Sequence, residues 1–193
     1  MKKVFLSVIA ILSLNFVNAQ SREKGAIELI PQIGYSSANY YGDNINNSSL
    51  TAVTFGVGAD YFFNDRWSLR SGMHMQTMGS KLTSSYEEKL NYLSIPVNAN
   101  WHFGSTRKWN LNFGPSFGLL MSAKGGGEDI KDLANTFQFG LAYGIGYKIE
   151  VNEKFSILID FQGMTGLSEV PKESDYSLKN AYSAFNVGGV FKL

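Results

Sequence analysis

The sequence predicts an all-β protein, an eight-stranded antiparallel up-and-down transmembrane β-barrel. Three observations carry that reading. Polar and apolar residues alternate with period two over nearly all of residues 26–193, which is the signature of strands with two unlike faces. The links between strands are alternately short and long, as in a meander. Glycines lie on the polar face, while aromatic residues crowd the apolar face beside the short links.

The N-terminus, "MKKVFLSVIAILSLNFVNAQ", has Lys2 and Lys3, an apolar run from Val4 to Leu14, and Val17-Asn18-Ala19. Charged start, short apolar run and small-residue site form a secretory signal, expected to be cleaved after Ala19. The run is too short for a spanning helix, which needs about 20 residues. Residues 1–19 are therefore set apart from a barrel domain over 20–193.

The strands follow in order. "AIELIPQIGYS" sets Ile27, Leu29, Pro31, Ile33 and Tyr35 against Glu28, Ile30, Gln32 and Gly34. "TAVTFGVGADYFF" sets Val53, Phe55, Val57, Tyr61 and Phe63 against Thr54, Gly56, Gly58 and Asp60. "WSLRSGMHMQTMG" sets Trp67, Leu69, Met73 and Met75 against Ser68, Arg70, Gly72 and His74. "NYLSIPVNANWHF" sets Leu93, Ile95, Val97, Trp101 and Phe103 against Ser94, Asn98, Asn100 and His102. "WNLNFGPSFGLLM" sets Trp109, Leu111, Phe113 and Phe117 against Asn110, Asn112, Gly114 and Ser116. "TFQFGLAYGIGYKI" sets Phe137, Phe139, Leu141, Tyr143 and Tyr147 against Gln138, Gly140, Gly144, Gly146 and Lys148. "FSILIDFQG" sets Phe155, Ile157, Ile159 and Phe161 against Ser156, Leu158 and Asp160. "AFNVGGVFKL" closes the chain, with Phe185, Val187 and Phe191 opposite Asn186, Gly188 and Lys192. It is expected to pair with the first strand and abolish the sheet edge.

Tight turns "NDR", "GSTRK" and "EVNEK" follow strands two, four and six; long polar loops fall around 36–50, 80–89, 122–135 and 168–181. The apolar face is expected outside. Small residues such as Gly56 and Gly146 make room for long polar neighbours in a narrow lumen. Phe63, Trp67, Trp101, Phe103, Trp109, Tyr147 and Phe155 form an interfacial girdle at the short-turn end. Tyr40, Tyr41, Tyr86, Tyr92, Tyr176 and Tyr182 are candidates for the other rim. About ten residues tilted by roughly 40° cover the ~25 Å apolar band of such barrels. A periplasmic start puts the short turns in the periplasm and the long loops outside.

The polar face carries Glu28, Asp60 and Asp160 with Arg70, Lys148 and Lys192. Balanced charge in a narrow barrel favours a structural ion network over an ion path, because buried charges must be paired. The register across "NDR" sets Asp60 opposite Arg70, and closure sets Glu28 opposite Lys192. His74 and His102 are the only histidines, and both are expected to serve as lumen hydrogen-bonders. Catalysis would need a base within reach of a nucleophile, and His74 has no adjacent serine.

"KGGGEDIKD" at 124–132 lacks the Lys-Ser/Thr end of a phosphate loop and the ligand spacing of a calcium loop, and reads as a solvated, mobile loop. Asn47-Ser48-Ser49 is only a formal glycosylation triplet. A net charge of +1 gives no bulk electrostatic case for nucleic acid. With no cysteine, disulfides and thiolate chemistry are excluded. No cofactor, metal or enzymatic activity is expected.

"NYLSIPVNANWHF", "WNLNFGPSFGLLMSAK" and "FQFGLAYGIGYKI" resemble recurring strand phrases of the PorT-like outer-membrane β-barrel family of Bacteroidetes, over roughly 26–193. The resemblance implies an eight-stranded outer-membrane barrel. It implies little about activity; the name-giving member is linked to a secretion system. Asn186, Gly188, Phe191 and Leu193 also resemble the C-terminal assembly signal of outer-membrane proteins, with Leu193 in place of the usual terminal aromatic. The expected partners are outer-membrane lipid, the barrel assembly machinery and an extracellular or envelope partner. The barrel is expected to be monomeric, with its work done by surface loops in partner binding, adhesion or envelope maintenance. A narrow pore, a secretion-system accessory barrel and a lipid-modifying enzyme are the alternatives.

Overall fold

A computed structural model describes residues 23–43, 45–173 and 175–193. The expected signal segment, 1–19, lies outside the described residues. Eight strands form the wall: β1 (Ile27–Gly42), β2 (Ser48–Phe62), β3 (Trp67–Lys81), β4 (Glu87–Phe103), β5 (Trp109–Gly125), β7 (Phe137–Glu150), β8 (Phe155–Gly166) and β9 (Leu178–Lys192). The short β6 (Glu128–Asp129) adds only to the loop end of β5. Every wall strand pairs antiparallel with its neighbour in sequence, and β1 pairs with β9, so the sheet is a closed eight-stranded barrel. Closure leaves no strand edge open to foreign pairing.

Two asparagines shape the turns. Asn64 Oδ1 accepts from the backbone N–H of Arg66 (2.9 Å) and Trp67 (3.0 Å), and Asn152 Oδ1 accepts from Lys154 (3.0 Å) and Phe155 (2.9 Å). Each side chain thereby replaces a backbone turn acceptor.

The strands run further toward the loop end than their apolar alternation suggests. β1 continues to Gly42, and β9 begins at Leu178, where Gly42 faces it. A ladder needs only backbone partners, so it persists after the apolar outer stripe has ended.

The outer face carries exposed Ile33, Val53, Phe55, Met73, Phe113 and Phe185. Such a continuous apolar exterior needs a lipid solvent, not water. The interior is filled in two layers. Near the short turns it is polar and ionic around a small apolar cluster of Ile30, Leu158 and Val190. Near the long loops it is apolar, built from Met78, Leu90, Tyr92, Leu120, Met164 and Tyr182. A polar lumen was expected from the sequence, and the apolar upper layer departs from that expectation. Tyr40, Tyr92 and Tyr182, expected at the outer rim, are buried within it. An eight-stranded lumen holds side chains and no channel, so beyond the ionic layer it packs as an ordinary core.

Candidate functional site: a plugged lumen beneath a loop platform

The ionic layer is built by register. Asp60 on β2 faces Arg70 on β3, with Asn98 across from Arg70 on β4. Arg70 Nε and Nη2 each donate to an Asp60 oxygen at 2.9 Å, a bidentate fork. The remaining Arg70 nitrogen, Nη1, donates to Asn110 Oδ1 (3.3 Å) and lies 3.6 Å from Asp160 Oδ1. Asn100 Nδ2 supports Asp60, and Gln162 Nε2 donates to Asp160 Oδ2 at 2.7 Å. Space for this crowd comes from glycine: a Cβ on Gly146 would sit 2.7 Å from Asp160 Oδ1 and 2.8 Å from Asn110 Nδ2.

Glu28 pairs with a different lysine from the one its strand register faces. The backbone sets it opposite Lys192, as closure demands, but its ion pair is with Lys148 of β7. Lys192 is exposed, one residue from the end of the chain. A side chain at the rim reaches water more cheaply than it can be buried, whereas Lys148 is already inside. Lys148 also lies over the Phe62 ring, 5.9 Å from its centroid.

Both histidines hydrogen-bond within the lumen. Gln32 Nε2 and His74 Nδ1 are 3.3 Å apart, and Ser68 Oγ and His102 Nε2 are 2.9 Å apart. The second distance suits a nucleophile and its base. Yet Ser68, Asn100 and His102 are all about 1% exposed or less, and Asn100 Nδ2 shares the same ring nitrogen at 3.3 Å. Nothing the size of a lipid reaches that pair.

The girdle residues lie in sequence around the short-turn end. Trp67 stacks on Trp101 (6.3 Å between centroids), Trp101 on Phe103 (5.0 Å) and Phe103 on Trp109 (6.2 Å), and Trp109 meets Tyr147 at 4.8 Å. Phe63 meets Tyr61, and Phe155 meets Phe191 of the terminal strand. Of the terminal pattern, Asn186 points inward and is buried, Phe191 lies outside, and Leu193 N–H donates to Ile27 O at 3.0 Å. Gly188 sits where a Cβ would come 3.1 Å from Pro31 O.

The loops cap the apolar layer. "KGGGEDIKD", expected to be a mobile loop, is instead a hairpin from β5 to β6 followed by a single 3-10 turn, Lys131–Leu133. Gly126 (φ 58°) and Gly127 (φ 95°) supply the left-handed backbone that the hairpin requires. Ala134 bridges to Pro171, and Asn135 Nδ2 donates to both Glu169 O (3.1 Å) and Pro171 O (2.9 Å). Ala134 and Val170 thereby enter the core beneath. Asn47 of the formal triplet spends its amide on Tyr40 O (2.9 Å) and accepts from Ser80 Oγ (2.8 Å).

Between plug and cap lies a cavity of about 50 Å³, bordered by Gln32, Arg70, His74, Asn98, Asp160 and Tyr182. That is space for a few waters at roughly 10–15 Å³ of such volume each. Asn98 and Asp160 each present a buried oxygen without a hydrogen-bond partner among the described residues.

Sequence reasoning did not single out Asn98, Asn100, Asn110 and Asn112, which brace the plug. Asn98 Nδ2 donates to Asn112 Oδ1 at 2.7 Å. Their signal was present: two Asn-x-Asn pairs at inward positions of neighbouring strands, with Asn100 opposite Asn112.

A closed barrel with an apolar exterior, an aromatic belt and an ion-paired interior defines an integral outer-membrane β-barrel. The chain belongs to the outer membrane protein beta-barrel domain family, whose model matches residues 6–191. Solved structures agree on the fold. Ail, the attachment invasion locus protein of Yersinia pestis, is 15% identical, with a TM-score of 0.51 over 88% of this chain and 99% of Ail. OprG from Pseudomonas aeruginosa is 12% identical, with a TM-score of 0.55 over 89% and 97%. Neisserial surface protein A is 19% identical, with a TM-score of 0.55 over 88% and 99%. No curated protein matches the sequence.

Proposed function

We propose that this protein is a monomeric, non-enzymatic and non-conducting outer-membrane barrel whose long loops bind an extracellular or envelope partner. The observation that carries this reading is a lumen closed twice, by the Asp60–Arg70 network below and by the apolar layer with its loop cap above. With no axial path, the surfaces left for function are the loops and the rims. The short turns face the periplasm and the long loops the exterior, after export by a signal peptide at 1–19 and recognition of the C-terminal strand by the assembly machinery. Kinship with the PorT-like group of Bacteroidetes belongs to the same proposal and rests on the strand phrases alone.

The test is complementation of a deletion strain, read by envelope sensitivity and surface attachment. A barrel whose 167–177 and 126–136 segments are replaced by short Gly-Ser linkers should fold, as shown by heat-modifiable migration, yet fail to complement. Full complementation would place the function in the barrel itself. Lipid analysis covers catalysis: loss of an acyl modification in His102→Ala or His74→Ala cells would make the protein an enzyme.

A further inference from the structure

The loop end holds a second, open concavity that the plug and cap do not use. It is a cleft of about 390 Å³ between the loops after β1, β3 and β8, lined by Tyr40, Asp43, Leu82, Glu88, Tyr176 and Leu178. That volume lies in the range of small-ligand sites, roughly 300–1,000 Å³. Its charged groups are of one sign. Among the described residues Asp43 and Glu88 are its charged side chains, and no lysine or arginine lines it. Both carboxylates are held in place: the Tyr40 hydroxyl donates to Glu88 Oε2 at 2.8 Å, and Asp43 Oδ2 accepts from Ser177 N–H at 3.1 Å. Leu82 and Leu178 give the wall an aliphatic stretch, and exposed Tyr176 contributes an aromatic ring.

Together these features suit a cation on an aliphatic stem. Carboxylates meet the charge, the Tyr176 ring adds cation–π attraction, and the leucines cover the methylenes. The surroundings favour the same sign. Across residues 36–50, 80–89, 122–135 and 168–181 there are nine acids and six bases. An acidic surface concentrates cations at its clefts and repels anions. Lys81 borders the adjoining cleft, and in register it faces Glu87 while Ser80 faces Glu88.

We propose that this cleft is a binding site for a lysine or arginine side chain presented by a basic segment of a protein partner. The proposal rests on the loop-binding function above and gives it a ligand chemistry.

The probe is a fluorescent, capped tetralysine peptide, titrated against the full chain in phosphatidylcholine nanodiscs and followed by anisotropy. Saturable binding is expected, at least tenfold weaker in the Asp43→Asn, Glu88→Gln double variant and unchanged when Glu128 and Asp129 are neutralised. Tyr176→Ala, at an exposed position, should weaken binding several-fold without touching the Tyr40–Glu88 bond. Heat-modifiable migration shows that each variant is folded. Absence of saturable binding would overturn the proposal. So would equal weakening by the Glu128 and Asp129 changes, which would mean a diffuse field. Cadaverine binding as tightly as the peptide would overturn the protein source. If the Asp43→Asn, Glu88→Gln barrel still complements while the loop-replaced barrel does not, the ligand assignment fails and the loop-binding function stands.

Discussion

Asp60 and Arg70 are the residues on which the lower closure turns. Asp60 is fully buried and takes both of its ionic hydrogen bonds from one guanidinium. Removing one partner of a buried pair leaves an uncompensated charge, at a cost of about 3–5 kcal/mol. Arg70→Met should therefore lower the unfolding midpoint of the refolded barrel in urea, while an Asp60→Asn, Arg70→Met double variant should recover part of the loss. A loss in the double variant equal to the sum of the two single-variant losses would show that the pair is not coupled. Gly146→Ala tests the same layer from its other side, because the new Cβ meets Asp160 and Asn110 at under 3 Å. Overpacking of this kind costs roughly 1–3 kcal/mol, read in the same unfolding experiment. In the loops, Glu169 anchors the segment before β9. Burial pushes its pKa up, but hydrogen bonds from Leu178 N–H and Ser177 Oγ and the charge of Lys179 outweigh that and hold it below its ordinary value. A lowered carboxyl pKa stabilises the fold above the ordinary range and loses that stabilisation as pH falls through the lowered value. The Leu178 amide should thus lose hydrogen-exchange protection on acidification in the wild type, and already be less protected at neutral pH in Glu169→Gln.

At the scale of the strand, β9 is the element that makes a barrel out of a sheet. Its pairing with β1 runs from Leu178 opposite Gly42 to Lys192 opposite Glu28, and Phe191 packs on Phe155 of β8. Deleting 191–193 removes the last ladder bonds and the aromatic contact together. Such a truncation should fail to reach the heat-modifiable form in cells; normal insertion would refute the role assigned to this end. The strands were legible in the sequence because period two is imposed by two unlike solvents, lipid outside and packed lumen inside. The Asp60–Arg70 pair was legible for a related reason: a short turn fixes register, and register fixes the partner. Glu28–Lys148 was not, because it crosses the lumen between strands that are not neighbours, and only the three-dimensional closure brings them together. The apolar upper layer was missed for a third reason. Tyr92 and Tyr182 alternate correctly, but an inward tyrosine at a loop end has the same pattern as an interfacial one.

For the whole molecule, the account rests on an occluded lumen: ion-paired at one end, apolar and capped at the other, with a cavity of about 50 Å³ between. Outer-membrane barrels of this strand number have just enough interior for side chains, so the default state is closed unless residues are removed from it. Family membership and fold place the protein in the outer membrane. Single-channel recording of the full chain in planar bilayers tests this most directly. The account predicts no steady conductance above the bare membrane over hours of recording at moderate voltage. Steady unitary openings whose size changes in Arg70→Ala or Asp60→Ala would contradict it, because ions would then be passing through the residues assigned to the plug.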